Sequence, residues 1–326
     1  MKILLIGINF GGYELRIVEE MTKQGHEVCY KYDANPYQSF FIRMLGKEGA
    51  KRVNTIYQTK TLESIGDGFG QVIVLVGRQL RPEFLKEVRK RNSKAIFSLY
   101  LWDDVKRVEN FEATKSYYDN IYSFDLHDCD KYGFKHLPLF YSQRPGNCSE
   151  KTYDIYSAMF AHSEREAIVS RINEQAMKAD LSALFYISLG RYLYLKRMIR
   201  LKKMRQGNIR YIAAPIPENE NYYNMESAKT ILDVQFTGQT GLTMRTIESL
   251  GMCNKIITTN DSIKRYDFYD ANNIMVIDRA NPMINVGFFY KPYHNPEDVI
   301  YEKYSLTTWV KTITMEIDTP IYTCRE

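Results

Sequence analysis

Residues 233–260 combine a glycine-rich turn with hydroxyl and cationic side chains. The pattern predicts a strand, the turn Gly238-Gln-Thr-Gly241, a helix and a second strand. Free backbone N–H groups and the positive end of the dipole at the start of a helix favour an anion such as a diphosphate. Thr240 and Thr243 add hydroxyl donors, and Arg245 adds a fixed positive charge. This stretch therefore predicts a phosphate-binding site.

Glu248 lies seven residues after Gly241, two turns into the predicted helix over residues 242–250. A carboxylate there could accept hydrogen bonds from the two neighbouring hydroxyls of a ribose. The alternative is that the turn only starts a helix, with Arg245 and Glu248 paired on its surface at positions i and i+3. Gly251 would then end the helix as a left-handed residue.

A pair of carboxylates, Asp103 and Asp104, follows an apolar strand and Trp102. Either carboxylate could act as a general base toward an acceptor hydroxyl if burial or a neighbouring charge raises its pKa. The alternative is an N-cap for a helix that begins near Val105, because aspartate is a preferred capping residue.

The residues Asp128-Cys129-Asp130 match the D-x-D pattern that holds a divalent metal in some sugar-transferring enzymes. Three-residue matches are common by chance, and a short capped helix explains the segment more simply. The chain has five scattered cysteines, with no C-x-x-C pair. We therefore expect no bound metal, structural zinc or disulfide framework.

The elements that position these residues follow an alternating pattern of strands and helices. In the first half, strands fit residues 2–6, 27–32, 71–76, 94–99 and 120–124, and helices fit residues 13–24 and 82–91. A polar loop at residues 141–150 ends this half, and the alternation restarts at residue 153 with strands over 153–160, 183–188, 231–236, 255–259 and 273–277. We expect two doubly wound α/β domains, residues 1–148 and 149–304, facing a cleft, with a C-terminal helix and tail over residues 305–326.

The chain has 326 residues, 44% hydrophobic and 25% charged, with a formal net charge of +5. This composition excludes disorder, and no apolar run is long enough to span a bilayer. The N-terminus lacks the features of a secretory signal, so we expect a cytoplasmic protein.

The positive charge is concentrated in residues 191–210, which contain eight basic residues and no acidic ones. Removing these eight charges from the net +5 leaves −3 for the rest of the chain. The basic residues are Arg191, Lys196, Arg197, Arg200, Lys202, Lys203, Arg205 and Arg210. The interleaved apolar residues predict a cationic helix that either contacts an anionic inner leaflet or forms a solvated basic face. No nucleic-acid-binding motif accompanies it, so we expect no nucleic-acid partner.

Residues 241–251, 255–260, 266–269 and 273–279 resemble the carboxyl half of bacterial glycosyltransferases from lipopolysaccharide and capsule gene clusters. These enzymes are relatives of the "glycosyl transferases group 1" class, which has the GT-B fold. The similarity is strongest over residues 233–279. It continues through Tyr153-Asp154 to Arg165 and from Trp102-Asp103-Asp104 to Phe140-Tyr141, so it covers most of the chain.

The resemblance implies that Gly241 and Thr243 approach the donor diphosphate, that Arg245 and Arg165 neutralise it, and that Glu248 binds the donor ribose. Thr240 is predicted to bind the donor through its hydroxyl. From the residues alone, Arg165 would be an ordinary solvated arginine. Retaining members of the class carry a second glutamate eight positions upstream, where this chain has Thr240. Retention and inversion of the anomeric centre therefore both stay open.

A second glycine-rich turn, which contains Gly7, Gly11 and Gly12, follows the first strand. A nicotinamide-dependent enzyme with Asp33 as the ribose partner is an alternative interpretation. It is a weak one, because the spacing of the glycines is not that of a G-x-G-x-x-G motif. In a GT-B enzyme, Gly11 and Gly12 would let the acceptor or the donor phosphates approach the backbone closely.

We therefore expect transfer of a sugar from a nucleotide-sugar donor to a lipid-linked or oligosaccharide acceptor of lipopolysaccharide, capsule or another surface glycan, without a cofactor. The alternative is a non-catalytic module that binds a nucleotide sugar or glycan.

Overall fold

The computed structural model describes residues 1–8, 12–146, 151–162, 164–200 and 204–323, and it divides into two compact units. Unit 1 comprises Met1–Pro138 and Leu306–Ile321, and unit 2 comprises Leu139–Ser305 with the tail from Tyr322. The division lies ten residues before the boundary that we predicted from the polar loop. The reason is that Phe140 and Tyr141 are buried, and the Tyr141 N–H donates to the Tyr304 carbonyl of unit 2.

Unit 1 is built on six parallel strands in the order β2-β1-β3-β4-β5-β6. Its central strands are almost fully buried, as expected for a sheet with helices on both faces. The strands are β1 (Lys2–Gly7), β2 (Glu27–Tyr32), β3 (Gln71–Leu75), β4 (Ile96–Leu101), β5 (Asn120–Ser123) and β6 (Lys135–His136).

Unit 1 contains a long helix that the sequence patterns did not predict, α2. The C-terminal helix, predicted as a separate element, packs within unit 1, where Trp309 lies edge-on to Tyr100 at 4.9 Å between ring centroids. The helices of unit 1 are α1 (Tyr13–Lys23), α2 (Gln38–Ser64), α3 (Pro82–Arg91), α4 (Phe111–Thr114), α5 (Leu126–Tyr132) and α11 (Leu306–Ile313).

Unit 2 has a seven-stranded sheet in the order β13-β12-β11-β7-β8-β10-β9, and its one antiparallel pair in the described residues is β9 with β10. The chain reverses its winding between β7 and β11, which are neighbours in the sheet. The strands are β7 (Tyr153–Phe160), β8 (Ala183–Ser188), β9 (Arg205–Gln206), β10 (Ile209–Ile212), β11 (Ala228–Asp233), β12 (Lys255–Thr258) and β13 (Ile274–Val276).

The helices of unit 2 are α6 (Arg165–Lys178), α7 (Arg191–Ile199), α8 (Glu218–Glu226), α9 (Met244–Gly251) and α10 (Asp298–Lys303). The prediction that Gly251 is the left-handed cap of α9 is wrong, because the positive φ belongs to Cys253. Gly251 instead permits close packing, since a Cβ there would lie 2.4 Å from Tyr141 side-chain atoms.

Both units are doubly wound α/β sheets, so the predicted fold class is confirmed. Among the helices that the structure describes, none has the length and apolar character needed to cross a bilayer.

Candidate functional site

Three arginines of unit 2 lie around the carboxyl end of β11, where the winding of the sheet reverses. Ligands of open α/β sheets bind at this point, because the loops on either side of it diverge and leave a crevice. Arg165 begins α6 directly after β7, Arg245 lies in the first turn of α9, and Arg279 follows β13. We call Arg165, Arg245 and Arg279 the arginine cluster.

Arg165 is only 7% exposed, so the expectation of an ordinary solvated arginine is wrong. Its Nε donates to the Val234 carbonyl at 2.5 Å, and its guanidinium lies 5.1 Å from the centroid of the Phe236 ring. Burial lowers the pKa of Arg165 to about 10, and the charges of Arg245 and Arg279 add to this effect. The guanidinium is therefore held in a place where an anion would stabilise it.

Arg245 is paired with Asp233, the last residue of β11, whose side chain is 1% exposed. The Arg245 Nη1 to Asp233 Oδ1 distance is 2.6 Å, and the Nη2 donates to the Ala158 carbonyl at 2.6 Å. The hydroxyls of Thr243 and Thr246 donate to the other carboxylate oxygen of Asp233. The alternative of a surface pair between Arg245 and Glu248 is wrong, because both side chains turn to other partners.

Arg279 is a site residue that the sequence patterns did not predict. Its Nη2 donates to the Gln235 carbonyl at 2.6 Å, and its Nη1 lies 3.6 Å from a carboxylate oxygen of Glu164. The Nη1 is buried and, among the described residues, has no hydrogen-bond partner. Its position could have predicted this role, because Arg279 follows the predicted strand at residues 273–277 and so lies at the same edge of the sheet as Asp233.

The arginine cluster places three positive charges beside the buried carboxylate of Asp233 and the largely exposed carboxylate of Glu164, so positive charge is in excess. Like charges held together are destabilising unless an anion neutralises them. The arrangement is chemically suited to a ligand with two or more negative charges, such as a diphosphate.

The turn Gly238-Gln-Thr-Gly241 is held by Asn260, whose amide donates to the Thr240 and Gly241 carbonyls at 3.2 and 3.3 Å. Thr243 is the N-cap of α9 and accepts from the Thr246 N–H, which confirms that it starts the helix. The approach of Thr240, Gly241 and Thr243 to a donor stays a prediction.

Glu248 is 2% exposed and ties α9 to the chain segment that follows Tyr141. Its carboxylate accepts from the Ser142 N–H and hydroxyl, from the Gln143 N–H at 3.4 Å and from the Tyr222 hydroxyl at 2.9 Å. A carboxylate has about four acceptor positions, so these donors occupy them. The ribose role stays a prediction, and it would require one of these donors to leave.

In unit 1, Asp33, Arg78 and Asp103 lie at the carboxyl ends of β2, β3 and β4. An Arg78 Nη2 to Asp103 Oδ2 distance of 2.5 Å defines an ion pair. Burial raises the pKa of Asp103 in spite of Arg78, and it raises the pKa of Asp33 to about 6. These raised values suit proton transfer, but a general-base role for Asp103 stays a prediction.

Asp104 precedes the short 3-10 helix Val105–Arg107, as the capping alternative predicts, but within the described part of the chain its side chain makes no capping hydrogen bond. Its carboxylate instead lies within 4.8 Å of those of Asp125 and Asp128. Burial raises the pKa of Asp104, and Asp125 adds to the shift. These three carboxylates are a group that could hold a cation.

The D-x-D segment belongs to α5, whose N-cap Asp125 accepts from the N–H groups of His127 and Asp128. This confirms the interpretation as a short capped helix. Asp128 accepts from the Val105 N–H at 2.8 Å, so it holds two backbone segments together, and Asp130 is not part of the acidic group. The expectation of no metal stays a prediction.

The turn after β1 is described only in part. Gly12 has a φ of 83°, which glycine adopts without strain, and it precedes α1. A Cβ on Gly12 would meet no atom of the described residues within 4 Å. Gly11 lies outside the described residues, so the acceptor-side role of both glycines stays a prediction.

No protein-family profile matches the chain, and no curated protein sequence matches it either. Solved structures do match over nearly the full length. An alpha-glucosyltransferase in complex with UDP and DNA is 13% identical, covering 95% of this chain and 94% of its own, with a TM-score of 0.60. The lipopolysaccharide outer core galactosyltransferase WaaB is 11% identical, covering 97% and 99%, with a TM-score of 0.52.

A third structure, the UDP-GlcNAc 2-epimerase from Neisseria meningitidis bound to UDP-GlcNAc, is 11% identical, covering 97% and 99%, with a TM-score of 0.57. At identities this low, the structural likeness establishes the fold and leaves the reaction open, since transferases and an epimerase share this fold. This chain has the GT-B fold.

Proposed function

We propose that this protein is a glycosyltransferase that takes its sugar from a nucleotide-sugar donor bound by unit 2. The observation that carries the proposal is the arginine cluster, with three cations around the buried carboxylate of Asp233 and the exposed carboxylate of Glu164. It lies where a ligand of this fold is expected. Structures of the same fold with bound UDP and UDP-GlcNAc support a nucleotide-sugar ligand.

In the proposed reaction, the arginine cluster stabilises the charge that develops on the leaving diphosphate when the bond to the sugar breaks. Thr240, Gly241 and Thr243 line the approach to the phosphates. Asp103 or Asp104 of unit 1 accepts the proton of the acceptor hydroxyl. We propose that no cofactor or metal takes part, because side-chain cations supply the neutralising charge.

The acceptor that we propose is a lipid-linked or oligosaccharide precursor of a surface glycan, such as lipopolysaccharide or capsule. The likeness to a lipopolysaccharide galactosyltransferase agrees with this choice. A site for such an acceptor on unit 1 would include Asp103 and the turn with Gly11 and Gly12.

Turnover tests the function. We expect the purified chain to release nucleotide from one member of a panel of UDP, GDP and CMP sugars, faster with a surface-glycan acceptor and at an equal rate in EDTA. Binding of a donor without turnover would identify a binding module. Epimerisation of the donor's sugar in the absence of an acceptor would identify an epimerase. Loss of turnover in EDTA with recovery in Mn²⁺ would contradict metal independence and direct attention to Asp104, Asp125 and Asp128.

The prediction of one cationic helix over residues 191–210 is wrong in its second half, because α7 ends at Ile199 and Arg205 and Arg210 lie in strands β9 and β10. We also propose that residues 191–210 contact the inner leaflet of the plasma membrane through α7. No residue of α7 is buried, and Tyr192, Leu195 and Ile199 on one face are 75%, 57% and 81% exposed. On the other face Arg197 lies 3.5 Å from the centroid of the Tyr211 ring, so the apolar face points away from the protein. Lys202 and Lys203 lie outside the described residues.

Replacing Leu195 and Ile199 by serine is expected to weaken binding to anionic vesicles roughly tenfold or more, because two apolar side chains no longer enter the lipid interface. Cosedimentation with phosphatidylcholine vesicles containing about one third phosphatidylglycerol measures this effect. Met177→Ser, an apolar residue 57% exposed on α6, is the control. Equal binding of the double variant and the parent would refute the α7 contact.

A further inference from the structure

Helix α2 of unit 1 consists of two parts with opposite character. Gly46, with a φ of 70° and a ψ of 179°, interrupts the helix. After it, the helix packs on unit 1 through a buried face that is mostly polar and contains Ala50, Asn54, Gln58 and Thr61. Before it, residues 38–45, which the structure describes throughout, contain no buried residue. We call residues 37–45 the α2 head.

The α2 head exposes large apolar side chains to solvent. Tyr37, Phe40, Met44 and Leu45 are 70%, 55%, 63% and 55% exposed, and Ile42 is 43% exposed. The spacing of Tyr37, Phe40 and Met44 places them on one helix face. A concentration of apolar side chains on a surface marks a site of interaction, because its exposure to water is unfavourable.

The position of the head is fixed by the body of unit 1. The Asn35 N–H donates to the side chain of Asn54, and the Tyr37 N–H donates to the side chain of Asn35. The chain reaches the head directly after β2 and Asp33, so the head lies at the carboxyl edge of the unit 1 sheet. The same edge carries Asp103, the candidate general base.

The charges around the apolar face indicate its partner. The head and the two residues that follow it, residues 37–47, contain Arg43 and Lys47 and no acidic residue. An anionic lipid surface complements this net charge of +2, with attraction of about 1 kcal/mol per basic residue near the headgroups. A second copy of the chain would bring like charges together on this face.

We propose that the α2 head inserts into the headgroup region of an anionic bilayer and holds the carboxyl edge of unit 1 at the lipid surface. This contact is separate from that of α7 and lies on the other unit. The inference rests on the proposed function. It adds that the acceptor is presented at a membrane.

Vesicle binding of the full chain tests the inference without any sugar transfer. Phe40→Ser combined with Met44→Ser is expected to weaken binding to phosphatidylcholine vesicles containing about one third phosphatidylglycerol by roughly tenfold. The matched control is Leu15→Ser combined with Ile56→Ser, since both residues are apolar, belong to unit 1 and are 57% exposed. The control is expected to bind like the parent.

Insertion has its own readout. A Phe40→Trp variant should be quenched by brominated lipids, whereas the native Trp102 and Trp309, which are 8% and 1% exposed, should not. Three results would overturn the inference: vesicle binding of the serine pair equal to that of the parent, no quenching of the new tryptophan, or self-association of the lipid-free parent that the serine pair abolishes. UDP binding is measured separately. If the protein binds UDP but the α2 head does not bind vesicles, the inference fails and the proposed function does not.

Discussion

Replacing Arg279 by alanine is expected to weaken the binding of UDP roughly tenfold to a hundredfold. A hydrogen bond to a charged group contributes about 1.5–3 kcal/mol, and each tenfold change in affinity corresponds to about 1.4 kcal/mol. Arg279 is the member of the arginine cluster with the most to offer a ligand, because its Nη1 is buried and lacks a hydrogen-bond partner among the described residues. Arg245, by contrast, is already paired with Asp233.

Titration calorimetry with UDP measures this effect, and two variants serve as controls. Arg171→Ala removes an arginine outside the cluster. Arg171 donates to the carbonyl of Ala280, the residue that follows Arg279. Glu164→Gln removes the carboxylate that faces Arg279 and should leave UDP binding equal or tighter. Unchanged affinity in Arg279→Ala, or an equal loss in Arg171→Ala, would show that the cluster is not the phosphate site.

The substitution removes the hydrogen-bond donor to the Gln235 carbonyl and relieves repulsion from Arg165, so we expect a small net loss of stability. Circular dichroism of the variant then separates loss of binding from loss of fold. Arg279→Lys keeps the charge but loses the planar fork, so an affinity between those of the parent and the alanine variant is expected.

The regular α/β elements could be predicted from sequence because their burial follows the expected patterns. Strands β7 and β8 and helix α3 agree with their predicted bounds to the residue. In these strands apolar residues are continuous or nearly so, and α3 begins with Pro82 at a position where its missing N–H is harmless. Local sequence therefore carries enough information for these elements.

Helix α2 could not be predicted, because its pattern is inverted. Its buried face contains Asn54, Gln58 and Thr61, whose polar groups find partners inside unit 1, such as the Gln79 carbonyl for Gln58. Its exposed face is apolar in the head. A search for an apolar stripe therefore finds no core-facing helix in residues 38–64.

The arginine cluster was only partly visible in the sequence. Arg165, Arg245 and Arg279 are far apart along the chain, and only the strand order brings them together. Arg245 was predicted from its place after the glycine-rich turn and Arg165 from the resemblance, whereas Arg279 needed the adjacency of β11, β12 and β13. The depth of burial of Arg165 also depends on tertiary packing, which a local pattern does not encode.

Glu248→Ala is expected to lower the free energy of unfolding by about 3 kcal/mol. The variant leaves the partly buried donors of Ser142, Gln143 and Tyr222 without their acceptor, and an unsatisfied donor of this kind costs about 1 kcal/mol, the low end of the range for buried polar groups. For a unit of this size the melting temperature should fall by roughly 6–12 °C. Thermal and urea unfolding followed by circular dichroism measure the change.

The same variant separates two roles for Glu248. If the carboxylate is mainly an anchor, the folded fraction should bind UDP within about twofold of the parent, since removing a group that does not touch the ligand leaves affinity nearly unchanged. If it holds the donor ribose, affinity for UDP should fall while affinity for inorganic pyrophosphate, which has no ribose, stays the same. Tyr222→Phe removes one donor and keeps the carboxylate, so it should show part of the stability loss and none of the ribose effect.

We expect the anchor result, because the four donors already fill the carboxylate. A selective loss of UDP binding without loss of stability would contradict it and restore the ribose assignment.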